Sequence, residues 1–193
     1  MRLSSILAVA SVLCIGVFAA TSHNSSDIEA RWPWSKSQIS FAGCTKAQQS
    51  QLKAAVKQAN SYILDSTKYL TKLSKSGRPT SRYTTWFGSI SDARVYTVLD
   101  KFKEIGDNPS HPRKLTAPAI TITFRLNNTF TSGKQSQAGI IVHEFTHFLE
   151  YGGTKDYKYG HTECKALAAS DPAMAVKNAD SYALFAENTP RLS

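Results

Sequence analysis

The sequence contains few cysteines and, after its first twenty residues, no long hydrophobic run. Only three cysteines occur among 193 residues, which argues against a small scaffold held together by many disulfides. After residue 20 no stretch approaches the length of about 18 apolar residues that a transmembrane helix needs, so we expect no membrane anchor. The sequence also lacks a glycine-rich phosphate loop, a Ser-His-Asp signature and a Cys-His pair, so none of these active sites is predicted.

Acidic residues are scarce relative to basic ones. The chain has 14 acidic and 23 basic residues and a net charge of +9. One stretch is especially rich in basic residues: Lys53, Lys57, Lys68, Lys72, Lys75, Arg78 and Arg82. No aromatic residues alternate with these charges, as a groove that binds single-stranded nucleic acid would require. We interpret them as a solvated helix surface and predict no specific nucleic-acid partner.

The N-terminus has the pattern of a secretory signal peptide. Residues 1–20 carry a single charge at Arg2, then an apolar run over 6–18, then small residues. We therefore expect a secreted, extracellular protein with three parts: the signal peptide at 1–20, a polar tail or short pro-segment at 21–40, and one catalytic domain at 41–193. A composition of 41% hydrophobic and 19% charged residues is typical of a folded domain.

Export to an oxidising compartment gives two further expectations. Cys14 would leave with the signal peptide, so Cys44 and Cys164 remain as an even pair, and we expect a disulfide between them. Asn24 and Asn127 each begin an Asn-Xaa-Ser/Thr sequon and are possible glycosylation sites.

Hydrophobic periodicity and capping residues predict a helix-rich domain. One long amphipathic helix is expected from Thr45 to Gly77, a second from Ser91 to Gly106, and a helix start at Asp171 before a proline. Alternating β-branched residues predict a strand over 119–126, and another helix is expected from about 136 to 149. The predicted fold class is α+β: a single helix-rich domain with an active-site helix and a small β-sheet.

The strongest chemical signal is the pentapeptide His-Glu-Phe-Thr-His at 143–147. On a helix this spacing places His143 and His147 one turn apart on the same face, so both imidazoles can bind one Zn²⁺. Glu144 then lies beside the zinc-activated water and can act as general base. We therefore expect one zinc ion per chain and the hydrolysis of internal peptide bonds in protein or peptide substrates.

A catalytic zinc site needs a third protein ligand. In the metzincin class of zinc proteases the third ligand is a histidine six residues after the second one. That position is Gly153 here, which excludes this class. Glu163 is a candidate by analogy with enzymes whose third ligand is a downstream glutamate. Asp156 is the stronger candidate, because it directly follows the helix break in a loop flanked by glycines.

Several segments together resemble the deuterolysin-type zinc metalloendopeptidases, the aspzincins. The resemblance rests on His-Glu-x-x-His followed by Gly-Thr-x-Asp-x-x-Tyr-Gly at 153–160, and it extends over about 41–190. Segments at 83–88, 178–182 and 185–188 are similar to the peptidyl-lysine branch of that family. The resemblance implies a zincin-like fold, Asp156 as the third ligand and Tyr159 as the residue that supports the oxyanion.

The same branch carries an acidic pair that lines the pocket for the residue after the cut. Asp180 matches the first member of this pair, whereas the second position is Ala183. The resemblance therefore implies that Asp180 binds substrate, with a preference for Lys or Arg that is not strict. We expect a monomer. The alternative is a cationic secreted binding protein that retains a structural or relic zinc site.

Overall fold

The computed structural model describes residues 14–18, 39–42, 44–106, 120–124, 136–147 and 153–193, with side chains in 44–106, 136–147 and 153–193. The helices are α1 (Lys46–Ser76), α2 (Ser81–Phe87), α3 (Asp92–Ile105), α4 (Gln137–His147), α5 (Gly160–Ser170), α6 (Pro172–Ala175) and α7 (Ala179–Glu187). Three strand segments, β1 (Cys14–Phe18), β2 (Ile39–Ala42) and β3 (Ile120–Phe124), pair antiparallel in the order β2-β1-β3.

The predicted boundaries of two helices are confirmed. Thr45 caps α1 with a reciprocal capping box to Gln48, and Gly77 ends the helix in the left-handed conformation with φ 61°. α3 begins after Ser91 and ends at Gly106. Asp171 accepts a hydrogen bond from the Met174 backbone at the start of α6, as its position before a proline suggested.

The expected α+β fold with a small β-sheet is wrong for the body of the domain. Within 44–106, 136–147 and 153–193 every regular element is a helix, and no strand occurs. In these residues the apolar faces of the helices pack against one another and form the core. Most buried residues of this core come from α1, α2, α3, α4 and α7, among them Leu52, Val56, Ile63, Leu70, Tyr83, Trp86, Phe87, Val95, Val98, Phe102, Ile141, Phe145, Tyr182 and Phe185.

The helix that carries the His-Glu-x-x-His motif lies at the centre of this core. α4 packs against both α1 and α7, and its apolar residues before and within the motif, such as Ile141, Val142 and Phe145, are buried. Among the helices that the structure describes, none combines the length and hydrophobicity of a membrane span. The sequons at Asn24 and Asn127, and the expected end of the motif helix near residue 149, lie outside the described residues.

The basic stretch divides into exposed lysines and one buried arginine. Lys53, Lys57 and Lys68 are exposed on α1, as expected for a solvated surface. Arg82 is instead buried: its guanidinium forms an ion pair of 2.7 Å with Asp65 and donates to the carbonyl of Phe185. Arg82 thus joins α1, α2 and α7 and is not part of the basic surface.

Candidate metal centre

Three side chains bring their ligand atoms together at the C-terminal end of α4. His143 Nε2 and His147 Nε2 are 3.2 Å apart, and Asp156 Oδ1 lies 3.1 Å from the first and 3.2 Å from the second. A tetrahedral zinc ion with bonds of about 2.0–2.1 Å separates its ligand atoms by about 3.3 Å. The triangle of two imidazole nitrogens and one carboxylate oxygen therefore fits zinc in both chemistry and size.

The tautomer of each histidine is fixed by the partner of its other ring nitrogen. His147 Nδ1 donates to the backbone carbonyl of Thr154 at 3.0 Å, and a carbonyl can only accept. His143 Nδ1 donates to Asp180 Oδ1 at 2.9 Å. In the neutral histidines the Nε2 atoms therefore carry no proton. Each has a free lone pair on the side that faces Asp156, as metal ligation requires.

The electrostatics of the cluster favour a cation. Burial alone would lower the pKa of His143, but the hydrogen bond to Asp180 and the charges of Asp180, Asp156 and Glu144 outweigh it, so the pKa is raised above its ordinary value. A proton therefore competes with a metal ion for Nε2. Lowering the pH through the His143 pKa is expected to weaken metal binding.

The third candidate ligand lies on a loop that returns from α4 to α5. We call residues 153–159 the ligand loop. Gly153 and Gly160, at its start and just after its end, have φ of 58° and 73°, a region that favours glycine. Thr154 holds the start of the loop to α4, because its amide donates to the carbonyl of Thr146 at 2.9 Å and its hydroxyl to the Thr146 hydroxyl at 2.7 Å. These contacts return Asp156 to the two histidines.

Glu144 and Tyr159 lie beside this cluster with accessible side chains. Glu144 is exposed on α4, and its charge acts on both His143 and Tyr159. The ring of Tyr159 stacks on His143 with centroids 6.0 Å apart. Desolvation of its hydroxyl, with the hydrogen bond to Asp156 and the nearby carboxylates, raises the pKa of Tyr159 to about 12. The phenol is therefore protonated at neutral pH and can donate a hydrogen bond.

The competing residues from the sequence lie elsewhere. Glu163 forms an ion pair of 3.0 Å with Lys158 on the surface and does not join the histidines. His161, the histidine just after the ligand loop, packs against Trp86 in a T-shaped arrangement with ring centroids 5.3 Å apart. Among the described residues, the histidine pair and Asp156 form the one set of three such side chains that could hold a metal ion.

Asp180 lies behind His143 and not on an open pocket wall. Its side chain is 2% exposed. One carboxylate oxygen accepts from His143 Nδ1, and the other accepts from the backbone amide of Gly160 at 2.6 Å. Ala183 is also buried, with 0% exposure. This placement differs from the expected substrate contact, because both carboxylate oxygens are already occupied by groups of the protein.

The expected disulfide between Cys44 and Cys164 is wrong. Cys164 is a free, buried thiol on α5. Its sulfur lies 3.5 Å from the carbonyl oxygen of Lys158 and 3.8 Å from Asp180 Oδ2, and it accepts a hydrogen bond from the Asn178 side chain. The disulfide was predicted from an even number of cysteines in an oxidising compartment, and neither observation says whether the two residues lie close together in the fold.

We expect the Cys164 thiol to be unreactive in the folded protein. Burial, followed by the charge of Asp180, raises its pKa to about 12, so almost no thiolate is present at neutral pH. Alkylation by iodoacetamide, followed by mass spectrometry of the peptide that contains Cys164, should be at least about 100-fold slower in the native protein than in urea. Comparable rates in both states would contradict the buried position.

Comparison with known proteins shows which family the chain resembles. The family model described as lysine-specific metallo-endopeptidase, an aspzincin, matches residues 118–187. The peptidyl-Lys metalloendopeptidase of Grifola frondosa is 39% identical over 171 residues, which are 80% of this chain and 48% of that protein. The peptidyl-Lys metalloendopeptidase of Pleurotus ostreatus is 37% identical over 169 residues, which are 79% of this chain and 99% of that protein.

More distant relatives and a solved structure extend the comparison. An extracellular protease of Aeromonas hydrophila is 33% identical over 181 residues, 79% of this chain and 48% of that protein. The chain thus spans about half the length of two of these relatives. The structure of a zinc peptidase from Grifola frondosa has a TM-score of 0.67 and 36% identity, covering 78% of this chain and all of that one. The resemblance inferred from the sequence is confirmed: the chain belongs to the aspzincin family of metallo-endopeptidases.

Proposed function

We propose that this protein is a secreted zinc metalloendopeptidase that hydrolyses internal peptide bonds with a preference, not a requirement, for Lys or Arg after the cut. The observation that carries the proposal is the triangle formed by His143, His147 and Asp156, with Glu144 and Tyr159 beside it. Three protein ligands are the number typical of a catalytic rather than a structural zinc site.

Each side chain has a distinct role in this proposal. A zinc ion held by His143, His147 and Asp156 would supply Lewis-acid chemistry that activates the attacking water. Glu144 accepts the proton of the attacking water and passes it to the amine that leaves when the C–N bond breaks. The Tyr159 hydroxyl donates a hydrogen bond to the substrate carbonyl oxygen as negative charge develops there. Asp180 keeps the imidazole of His143 oriented toward the metal.

The preference for a basic residue is supported by two observations. The relatives from Grifola frondosa and Pleurotus ostreatus are named peptidyl-Lys metalloendopeptidases. Carboxylates of Glu144, Asp156 and Asp180 also concentrate negative charge around the histidine pair. Ala183 occupies the position of the second acidic residue of the peptidyl-lysine branch, so we do not propose strict lysine specificity.

The test is a digest of denatured proteins by the zinc-loaded protein, with mass spectrometry of the residue that follows each cut. We expect Lys and Arg to be enriched there, with other residues also present. Absence of any cleavage by protein with stoichiometric zinc would contradict the proposed activity, and a random distribution after the cut would contradict the preference.

Asp180→Asn separates the two roles that this residue could have. Because Asp180 bonds His143 and the Gly160 amide, we expect turnover to fall about 10–100-fold on every peptide of a series with Lys, Arg, Ala or Phe after the cut. Asp100→Asn, on the exposed surface of α3, is the control and should have no effect. A loss confined to the Lys and Arg peptides would instead place Asp180 in contact with substrate.

A further inference from the structure

Asn178 is a fully buried amide that uses all of its hydrogen-bonding capacity. Its side chain has 0% exposure. The Oδ1 atom accepts from the backbone amides of Tyr157 at 3.0 Å and Lys158 at 2.9 Å. The Nδ2 atom donates to Ser181 Oγ at 3.1 Å and to Cys164 Sγ at 3.4 Å. Two acceptances and two donations are what one asparagine side chain can provide.

Helix capping does not account for this residue. Asn178 immediately precedes α7, where an asparagine oxygen usually accepts from an amide in the first turn. No such bond from the Asn178 side chain is present. The oxygen instead accepts hydrogen bonds from the ligand loop.

The contacts of this segment enclose Asp156 from both sides. Before it, the Lys155 amide donates to the carbonyl of Lys177 at 2.9 Å, and the Ala179 amide donates to the carbonyl of Lys155 at 3.0 Å. After it, the two amides that bind Asn178 Oδ1 belong to the next two residues of the loop. Four hydrogen bonds thus join residues 177–179 to the loop residues directly before and after Asp156.

We infer that Asn178 is a positioning residue: its buried amide oxygen, bonded to the amides of Tyr157 and Lys158, holds Asp156 at the distance from His143 and His147 that metal binding requires. Two residues later, Asp180 orients His143. One short segment before and within α7 thus positions two of the three ligands. The inference rests on the proposed function only in taking Asp156 as a metal ligand.

The test compares Asn178→Ala with Asn178→Asp in the full-length chain. Alanine removes every side-chain bond. Aspartate keeps an oxygen for the two loop amides, and its second oxygen can accept from the Ser181 hydroxyl. We expect Asn178→Ala to accelerate amide exchange of the peptide covering 154–159 in zinc-free protein, and zinc release to a chelator, each by about tenfold or more. Asn178→Asp should remain within about threefold of the wild type in both measurements.

Asn188→Gly is the matched control at the other end of α7. Asn188 has φ 47° and its side chain bonds the backbone of Leu192, so glycine keeps the backbone conformation and removes the bonds without touching the loop. It should exchange and release zinc as the wild type does. Because neither readout requires peptide cleavage, a protein that binds zinc but cuts nothing would contradict the proposed function and leave this test intact.

Two results would overturn the positioning role. The first is wild-type loop exchange and zinc release in Asn178→Ala. The second is rapid zinc release in Asn178→Asp with an unchanged melting temperature, since that variant retains the acceptor. If Asn178→Ala does not fold, the aspartate variant and the glycine control decide the question by themselves.

Discussion

Glu144→Gln is expected to lower kcat/KM by about three orders of magnitude while zinc content and fold stay unchanged. The amide that replaces the carboxylate cannot accept a proton from the attacking water. The side chain is exposed and lies outside the ligand triangle, so its substitution leaves the metal site intact. Cleavage of an internally quenched peptide gives the rate, and atomic absorption gives the zinc stoichiometry.

Glu163→Gln is the matched control for this variant. Glu163 is an exposed glutamate on α5 that pairs with Lys158, and its substitution should leave the rate near that of the wild type. Retention of more than a tenth of the activity by Glu144→Gln would exclude Glu144 as the general base. A loss of zinc in that variant would instead assign it a role in binding the metal.

Asp156→Asn is expected to weaken zinc affinity by at least about 100-fold, which exceeds the effect of losing a partner of a ligand. A neutral amide is a poor substitute for a carboxylate at a cation of this kind. The change also removes one of the charges that raise the pKa of His143. The pKa of His143 should therefore be lower in the variant, and zinc binding should begin to weaken at a lower pH than in the wild type. Competition with a chromogenic chelator over a pH series measures both effects.

The outcome for other carboxylates decides whether the third ligand is assigned correctly. Asp171→Asn, at the cap of α6, should bind zinc as the wild type does. If Asp156→Asn retains zinc and Glu163→Gln releases it, the ligand triangle proposed here is incorrect, and the triangle in the structure would then describe a hydrogen-bonded cluster only.

The sequence predicted helices well where one face is polar. α1 and α3 alternate buried and exposed residues with helical periodicity and have recognisable ends. α7 was missed because residues 179–186 are all buried, so no polar stripe reveals a period. α2 is only seven residues long, and α5 begins after Tyr159 without a side-chain cap.

The candidate ligands could be named from the sequence, and most of the hydrogen bonds that support them could not. His143 and His147 are one helical turn apart, and the glycines that flank the ligand loop marked Asp156 as a candidate. The hydrogen bonds of Thr154, Asn178 and Asp180 join residues that are distant in the sequence or use the backbone, and neither periodicity nor spacing encodes such pairings. The strand pattern at 119–126 corresponds to β3 (Ile120–Phe124). Such a pattern does not say what covers the core, and the core described within 44–106, 136–147 and 153–193 is built from helices.

The pairing of α4 with α7 also dictates when the site can first exist during synthesis on the ribosome. α7 supports α4 at two points: Glu187 accepts from the amide and hydroxyl of Ser136, just before the helix, at 2.6 Å each, and Asp180 accepts from His143 within it. The candidate ligands have all been translated once residue 156 is made, as has Thr154, which orients His147. The groups that orient His143 and flank Asp156 follow at 177–180, and Glu187 comes last. A nascent chain therefore carries the His-Glu-x-x-His motif without an assembled site until α7 has left the exit tunnel, which separates translation of the motif from the appearance of any proteolytic activity.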